Sequence, residues 1–235
     1  MNIRTGPFAL DIEIYDPMYY GPLTIFPVNS QQEADSISLR QAIDNGDLEI
    51  REISQSGSVN TLLAINRGKQ RVLILDGEEM IGAKQNRISN TTVLLEAESE
   101  TKLPVSCVEA GRWGYNSDKF TSSDQFMPYG NRSLKEARMH ESMKSRKAYD
   151  ANQGEVWNDI NSLHARHKVQ SRTSAMSDAF AARKKELDKA VAALGQCIMQ
   201  NGLIVFQRGK FVAFEYISSR SVFNDVYEKI IRSLA

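Results

Sequence analysis

Short apolar runs, each bounded by Gly, Asn, Ser or Pro, dominate the first half of the chain. They are PLTIFPV (22–28), LEIREIS (48–54), VNTLLAIN (59–66), RVLILDG (71–77), NTTVLLEA (90–97) and TKLPVSCVEA (101–110). β-Branched and aliphatic side chains fill them, the composition that packs on a pleated, half-buried surface. One such run about every 8–12 residues predicts an antiparallel sandwich or barrel-like arrangement. One helix interrupts it. In SLRQAIDNG, Ser38 is followed three residues on by Gln41, a capping-box pattern. Leu39, Ala42 and Ile43 supply an apolar face, and Asn45-Gly46 a left-handed stop.

Beyond residue 113 the pattern changes. Residues 114–133 are rich in Ser, Asn and Gly yet carry Tyr115, Phe120, Phe126 and Tyr129. A disordered linker seldom holds so many aromatics, so the stretch reads as a long ordered loop, of the kind that forms lids. Helical periodicity follows over 133–150, 155–167 and 173–194. A hairpin over 202–217 turns at Arg208-Gly209, and an amphipathic helix covers 222–234. The fold class predicted is α+β in one domain, 1–235. Its parts are a β-rich sandwich or barrel-like half (20–113), a loop and helices covering it (114–195), and a late hairpin and C-terminal helix (202–234) that rejoin the sheet.

One stretch departs from a simple strand pattern. DGEEMIGAKQNR (76–87) opens with Asp76-Gly77, which reads as the turn of a hairpin after Val72–Leu75. On a returning strand, Glu78, Met80, Gly82, Lys84 and Asn86 share one side, and Glu79, Ile81, Ala83, Gln85 and Arg87 the other. Neither side is cleanly apolar. The stretch is either a solvated edge strand or the wall of a polar site, with Gly82 marking a bulge or a close approach.

A second cluster, SCVEAGRW (106–113), ends a strand with Glu109, Arg112 and Trp113. These three suit a nucleotide: Arg for phosphate, Trp for stacking, Glu for ribose hydroxyls. An Arg112–Glu109 ion pair beside a core indole fits equally well. Cys107 alternates with Leu103 and Val105 and reads as a buried structural thiol. His164 and His167 are spaced for chelation, but no HExxH pattern accompanies them, so no metal site is assigned. No Walker loop, GxGxxG, GxSxG or CxxC pair occurs, and no cofactor is assigned.

Composition narrows the classes. Of 235 residues, 41% are hydrophobic and 25% charged, as in ordinary globular proteins. No run approaches the roughly 20 apolar residues of a membrane helix. The first residues carry acids within their apolar run, unlike a secretory signal, and two cysteines make no disulfide framework, so a cytoplasmic protein is expected. Net charge is zero but uneven: residues 1–130 hold 11 Lys+Arg against 18 Asp+Glu, and 131–190 hold 13 against 8. The basic middle suits a small anionic ligand. Its interleaved acids and lack of alternating aromatics argue against nucleic acid. The oligomeric state is not legible.

The run from Val72 to Trp113 resembles the core of the ARG and rhodanese-phosphatase-superfamily-associated protein family, a domain of unknown function. The resemblance continues backward through SISLRQAIDNG and forward through NQGEVWNDI, SRTSAMSDAF and FNDVYEKIIRSLA. Its motif residues include Glu78, Glu79, Lys84, Gln85, Arg87, Asn90, Glu109, Arg112 and Trp113. The family is named for proteins of ADP-ribose and phosphate metabolism that its members accompany. The resemblance therefore implies an NAD-derived or ADP-ribose-like ligand, and carries no established activity.

Together these readings predict binding, with hydrolytic processing as an option, of a nucleotide-like anion. Lys84, Arg87 and Arg112 would neutralise phosphate and Trp113 would stack, with Gln85 and Asn90 as further ligand-binding residues. Glu78, Glu79 or Glu109 would hold ribose or act as general base. Two alternatives stand beside this. The polar strand could dock a partner by β-addition, or the polar residues could form a satisfied internal network that fixes sheet register.

Overall fold

The computed structural model describes residues 2–5, 8–146 and 148–235. The chain opens with a hairpin, β1 (Asn2–Thr5) and β2 (Phe8–Asp11), then β3 (Glu13–Ile14), β4 (Met18–Tyr20), β5 (Leu23–Asn29) and β6 (Ile37–Ser38). Helix α1 (Leu39–Asp44) carries the expected capping box: Gln41 N donates to Ser38 Oγ at 3.0 Å, and Ser38 N to Gln41 Oε1 at 3.1 Å. Next come β7 (Leu48–Glu52), β8 (Thr61–Asn66), β9 (Val72–Ile74), β10 (Glu78–Gly82), β11 (Arg87–Ser89), β12 (Val93–Leu95), β13 (Ser99–Cys107) and β14 (Phe120–Phe126). Four helices follow: α2 (Tyr129–Arg146), α3 (Gln153–His167), α4 (Met176–Ala182) and α5 (Lys184–Ala193). The hairpin β15 (Gly202–Gln207) and β16 (Lys210–Tyr216) and the helix α6 (Arg220–Leu234) complete the chain.

The fold is α+β. A six-stranded antiparallel sheet runs β14-β10-β11-β13-β8-β7, and a second sheet runs β16-β15-β5-β3 with β4 also on β5. A small sheet, β12-β9-β6, contains a parallel pair between β6 and β9. One apolar core joins the large sheet, through Ile50, Leu62, Met80 and Leu103, to α1 and β9. A second seats Val222, Phe223, Val226 and Ile230 of α6 against the second sheet and Phe126. A third packs Ile88 and Val108 beneath α3 and α4. Glu79 pairs with Ile88 across β10 and β11, so its side chain shares the sheet face that α3 and α4 cover.

Several sequence expectations change. Asp76-Gly77 does not turn a hairpin: β9 pairs with β12 and β6, whereas β10 pairs with β11 and β14. Gly77 adopts φ +74°, its N–H donates to Ser89 O at 2.9 Å, and its carbonyl accepts from Met127 N at 2.8 Å. Those bonds pass the chain from one sheet to another. Residues 78–87 are not one strand, because Gly82 (φ +129°) and Ala83 (φ +40°) reverse it, and side-chain parity ends there. A Cβ at Gly82 would lie 2.6 Å from Lys119 O, so the close approach expected at Gly82 is present.

The polar strand is no edge either. β10 lies between β14 and β11, and Glu78, Glu79 and Met80 are fully buried, which leaves no open side for β-addition there. Residues 114–133 are not a loop throughout, since they supply β14 and the start of α2. The helix expected over 173–194 breaks at Arg183 (φ −101°, ψ 7°), whose guanidinium turns to Glu186 at 2.9 and 3.1 Å. The late hairpin does rejoin the first half, pairing with β5 in the second sheet.

Candidate functional site

Three acids sit on or beside β10, and they meet different fates. Asp76 pairs with Lys135, a fully buried lysine of α2. Glu78 Oε1 accepts from Lys229 Nζ of α6 at 2.7 Å, and Glu78 Oε2 accepts from Leu75 N at 3.2 Å. Lys229 also donates to Ser122 Oγ at 2.9 Å. Glu79, equally buried, forms no ion pair among the described residues. Its Oε2 accepts from Ser123 Oγ at 2.8 Å, and its Oε1 has no hydrogen-bond partner among the described residues. Burial pushes its carboxyl up to about 7, against the Ser123 hydrogen bond, and the nearby Glu109 charge adds to the rise.

Glu79 lies in the wall of an open cavity of about 780 Å³, which Asn86, Glu109, Arg112, Ser123, Gln125 and Ser177 also line. A break in strand register builds that wall. Glu78 pairs with Phe126 but Met80 pairs with Ser122, so residues 123–125 of β14 arch out opposite Glu79. Arg40 pins the arch, donating to Asp124 Oδ1 at 2.6 Å and to Ser123 O at 3.3 Å. Gln125 N donates back to Ser123 Oγ at 3.0 Å, and Gln125 Oε1 is buried without a partner.

The second wall is the Glu109–Arg112 pair. Arg112 donates to Glu109 Oε2 through Nε at 2.8 Å, with Nη2 at 2.6 Å. Its remaining donors reach Ala83 O at 2.7 Å, Gly114 O at 3.1 Å and Asn86 Oδ1 at 3.0 Å. Glu109 Oε1 accepts from Thr173 Oγ1 at 3.0 Å. Arg112 therefore folds the reversal between β10 and β11, and its charge reaches the cavity without a free fork for a phosphate. Asn86 Oδ1 is occupied, but its Nδ2 makes no hydrogen bond among the described residues.

Of the residues singled out in the sequence, Glu79, Glu109 and Arg112 meet at this cavity. The others lie elsewhere. Glu78 is locked to Lys229. Lys84 donates to Ser56 O at 2.8 Å and sits between the rings of Trp113 and Tyr115, 5.4 and 5.1 Å from their centroids. Arg87 is wholly buried, donating to Gln85 Oε1 at 3.0 Å and, more weakly, to Glu52 Oε1 and Ser58 O at 3.4 Å. Gln85 ties Arg87 to Glu109 O at 2.8 Å. Asn90 braces the sheet, accepting from Ser106 Oγ at 2.8 Å and donating to Tyr149 O at 3.1 Å. Trp113 is half-exposed, stacked by Lys84 and Arg87.

Among the cavity residues that the sequence does not single out are Ser123, Gln125 and Ser177. Only the pairing of β14 with β10 brings Ser123 to Glu79. Cys107 is buried, and burial pushes its thiol up to about 11, as suits a structural cysteine. His164 Nε2 lies 3.0 Å from Ala175 O. Among the described residues no group of three or more His, Cys, Asp or Glu is placed to hold a metal ion, and no helix is long and apolar enough to cross a membrane.

An α+β fold with a polar cavity on one sheet face defines a class of architecture, not an activity. Residues 11–235 match the sequence model of the ARG and Rhodanese-Phosphatase-superfamily-associated Protein domain, and the chain belongs to that family. No curated protein and no solved structure matches it.

Proposed function

We propose that the Glu79 cavity binds a small nucleotide-like molecule of the ADP-ribose or NAD-derived type, and that Glu79 transfers a proton during its hydrolysis. One observation carries the reading: among the described residues Glu79 is buried, forms no ion pair, leaves one oxygen unpartnered and titrates near 7, all at a cavity wall. A buried carboxyl bound only for structure is ordinarily paired, as Glu78 is. A group that titrates near neutrality can both give and take a proton at working pH. Glu109, by contrast, is held in an ion pair with Arg112 at the same cavity. The lining of hydroxyls and amides suits ribose hydroxyls, while its cations Arg112 and Lys119 are paired with Glu109 and Glu49.

Calorimetry with ADP-ribose and NAD tests this. Wild type is expected to bind one of them saturably, and Glu79→Gln to bind it without turnover. No binding to wild type by either compound sinks the reading. A second reading, a structural polar network, is favoured by Arg87 and Arg112, whose donors are engaged with protein acceptors. It accounts for those residues and Glu78, and leaves Glu79 unexplained.

A further inference from the structure

We propose that Ser123 is a covalent nucleophile, with Glu79 as its general base, for cleaving a carboxylic ester on a small polar molecule bound in the cavity. This rests on the acid–base reading of the Glu79 cavity and extends it to a carboxylic ester, a bond that ADP-ribose and NAD themselves lack. Several serines line the cavity, and among them Ser123 alone is hydrogen-bonded to a carboxylate. Ser117 Oγ instead donates to Lys119 O, and Ser122 Oγ to Ser123 O. Among the described residues Glu79 forms no ion pair, although the Lys229 charge works against the rise of its carboxyl. A carboxylate of ordinary pKa is a poor base for a hydroxyl. One raised to about 7 is comparable to the imidazole, about 6.5, that usually fills this role.

The arch of β14 also orients the nucleophile. The Ser123 hydroxyl gives its proton to Glu79 Oε2 and accepts from Gln125 N, which leaves one lone pair free to attack. Asn86 Nδ2 supplies an uncommitted donor in the same cavity, and the Arg112 charge lies beside it, so negative charge on a carbonyl oxygen has a place to rest.

The step balances without a further reagent. Ser123 Oγ attacks the ester carbonyl carbon while its proton passes to Glu79. The tetrahedral oxyanion collapses, the C–O bond to the alcohol breaks, and Glu79 returns the proton to the departing oxygen. Water then attacks the Ser123 acyl ester, with Glu79 again taking and returning a proton, and releases the acid.

The experiment treats the full chain with p-nitrophenyl acetate and, separately, with phenylmethanesulfonyl fluoride. Adducts are mapped by peptide mass spectrometry. The expected result is an acetyl or sulfonyl group on Ser123, forming faster as pH rises through about 7. Glu79→Gln should slow labelling on the order of 10²-fold, and Ser123→Ala should carry no adduct at that position. Wild type that stays unlabelled at Ser123, or Glu79→Gln labelled as fast as wild type, overturns the proposal. Calorimetry with ADP-ribose on wild type and Ser123→Ala separates the two readings. Binding retained by both without any Ser123 adduct removes the nucleophile and leaves the binding site. A Ser123 adduct without ADP-ribose or NAD binding supports the nucleophile and removes the nucleotide-like ligand.

Discussion

Glu78 and Glu79 are chain neighbours on β10, equally buried, and their side chains leave opposite faces of the sheet. Glu78 meets Lys229 on α6 and ties the large sheet to the C-terminal helix. Glu79 meets a serine and an open cavity. The difference is the ion pair, which Glu79 does not form among the described residues. A buried carboxylate paired in this way braces two elements. A buried carboxylate left unpaired destabilises the fold once ionised, and folded proteins tolerate that chiefly where the group has a task.

The largest effect expected is on the braced side. Lys229→Met leaves the Glu78 charge buried and alone, which should cost about 3–5 kcal/mol in urea denaturation. Adding Glu78→Leu should return much of it, because the packed apolar pair needs no compensation. If Lys229→Met is neutral, the contrast between the two glutamates collapses. Arg87→Ala should cost about 3 kcal/mol for a related reason, stranding Glu52 and the Gln85 carbonyl.

The unpaired side should behave in the opposite sense. The Glu79 carboxyl is raised from 4.5 to about 7, so the native state holds a proton that the unfolded chain has lost across that window. Stability should then fall as pH rises from about 4.5 to about 7 and stay reduced above it. Glu79→Gln removes the ionisation and should be more stable than wild type at pH 8 by up to about 3 kcal/mol, with little difference near pH 4. Thermal melts of both proteins across pH check the sign. The smallest effect expected is Ser123→Ala, about 1 kcal/mol of lost hydrogen bonding, with the Glu79 titration moved upward because its one neutral donor is gone.

How much of this the sequence discloses depends on how local the signal is. The Ser38–Gln41 capping box, the Arg208-Gly209 hairpin and the Glu109–Arg112 ion pair all lie within four residues of chain and were legible. The partners of the β10 acids were not. Lys135 is 59 positions from Asp76, and Lys229 is 151 from Glu78. Asp76-Gly77 announced a turn correctly, but a turn signal does not name the strand that receives the chain. β14 was missed for a definite reason: its buried residues, Phe120, Ser123 and Phe126, recur every third position. The arch opposite Glu79 breaks the alternation by which strands are recognised. The same irregularity that hid the strand places Ser123 on the carboxylate.

The central claim is that Glu79 is a buried carboxyl poised near neutrality, and its own titration tests it most directly. Carbon-13 NMR of the glutamate carboxyl carbons, with the Glu79 signal assigned by its absence from Glu79→Gln, gives that curve. The account predicts a midpoint near 7. A midpoint near the ordinary 4.5 would mean that a cation or solvent reaches the carboxylate, and would contradict it.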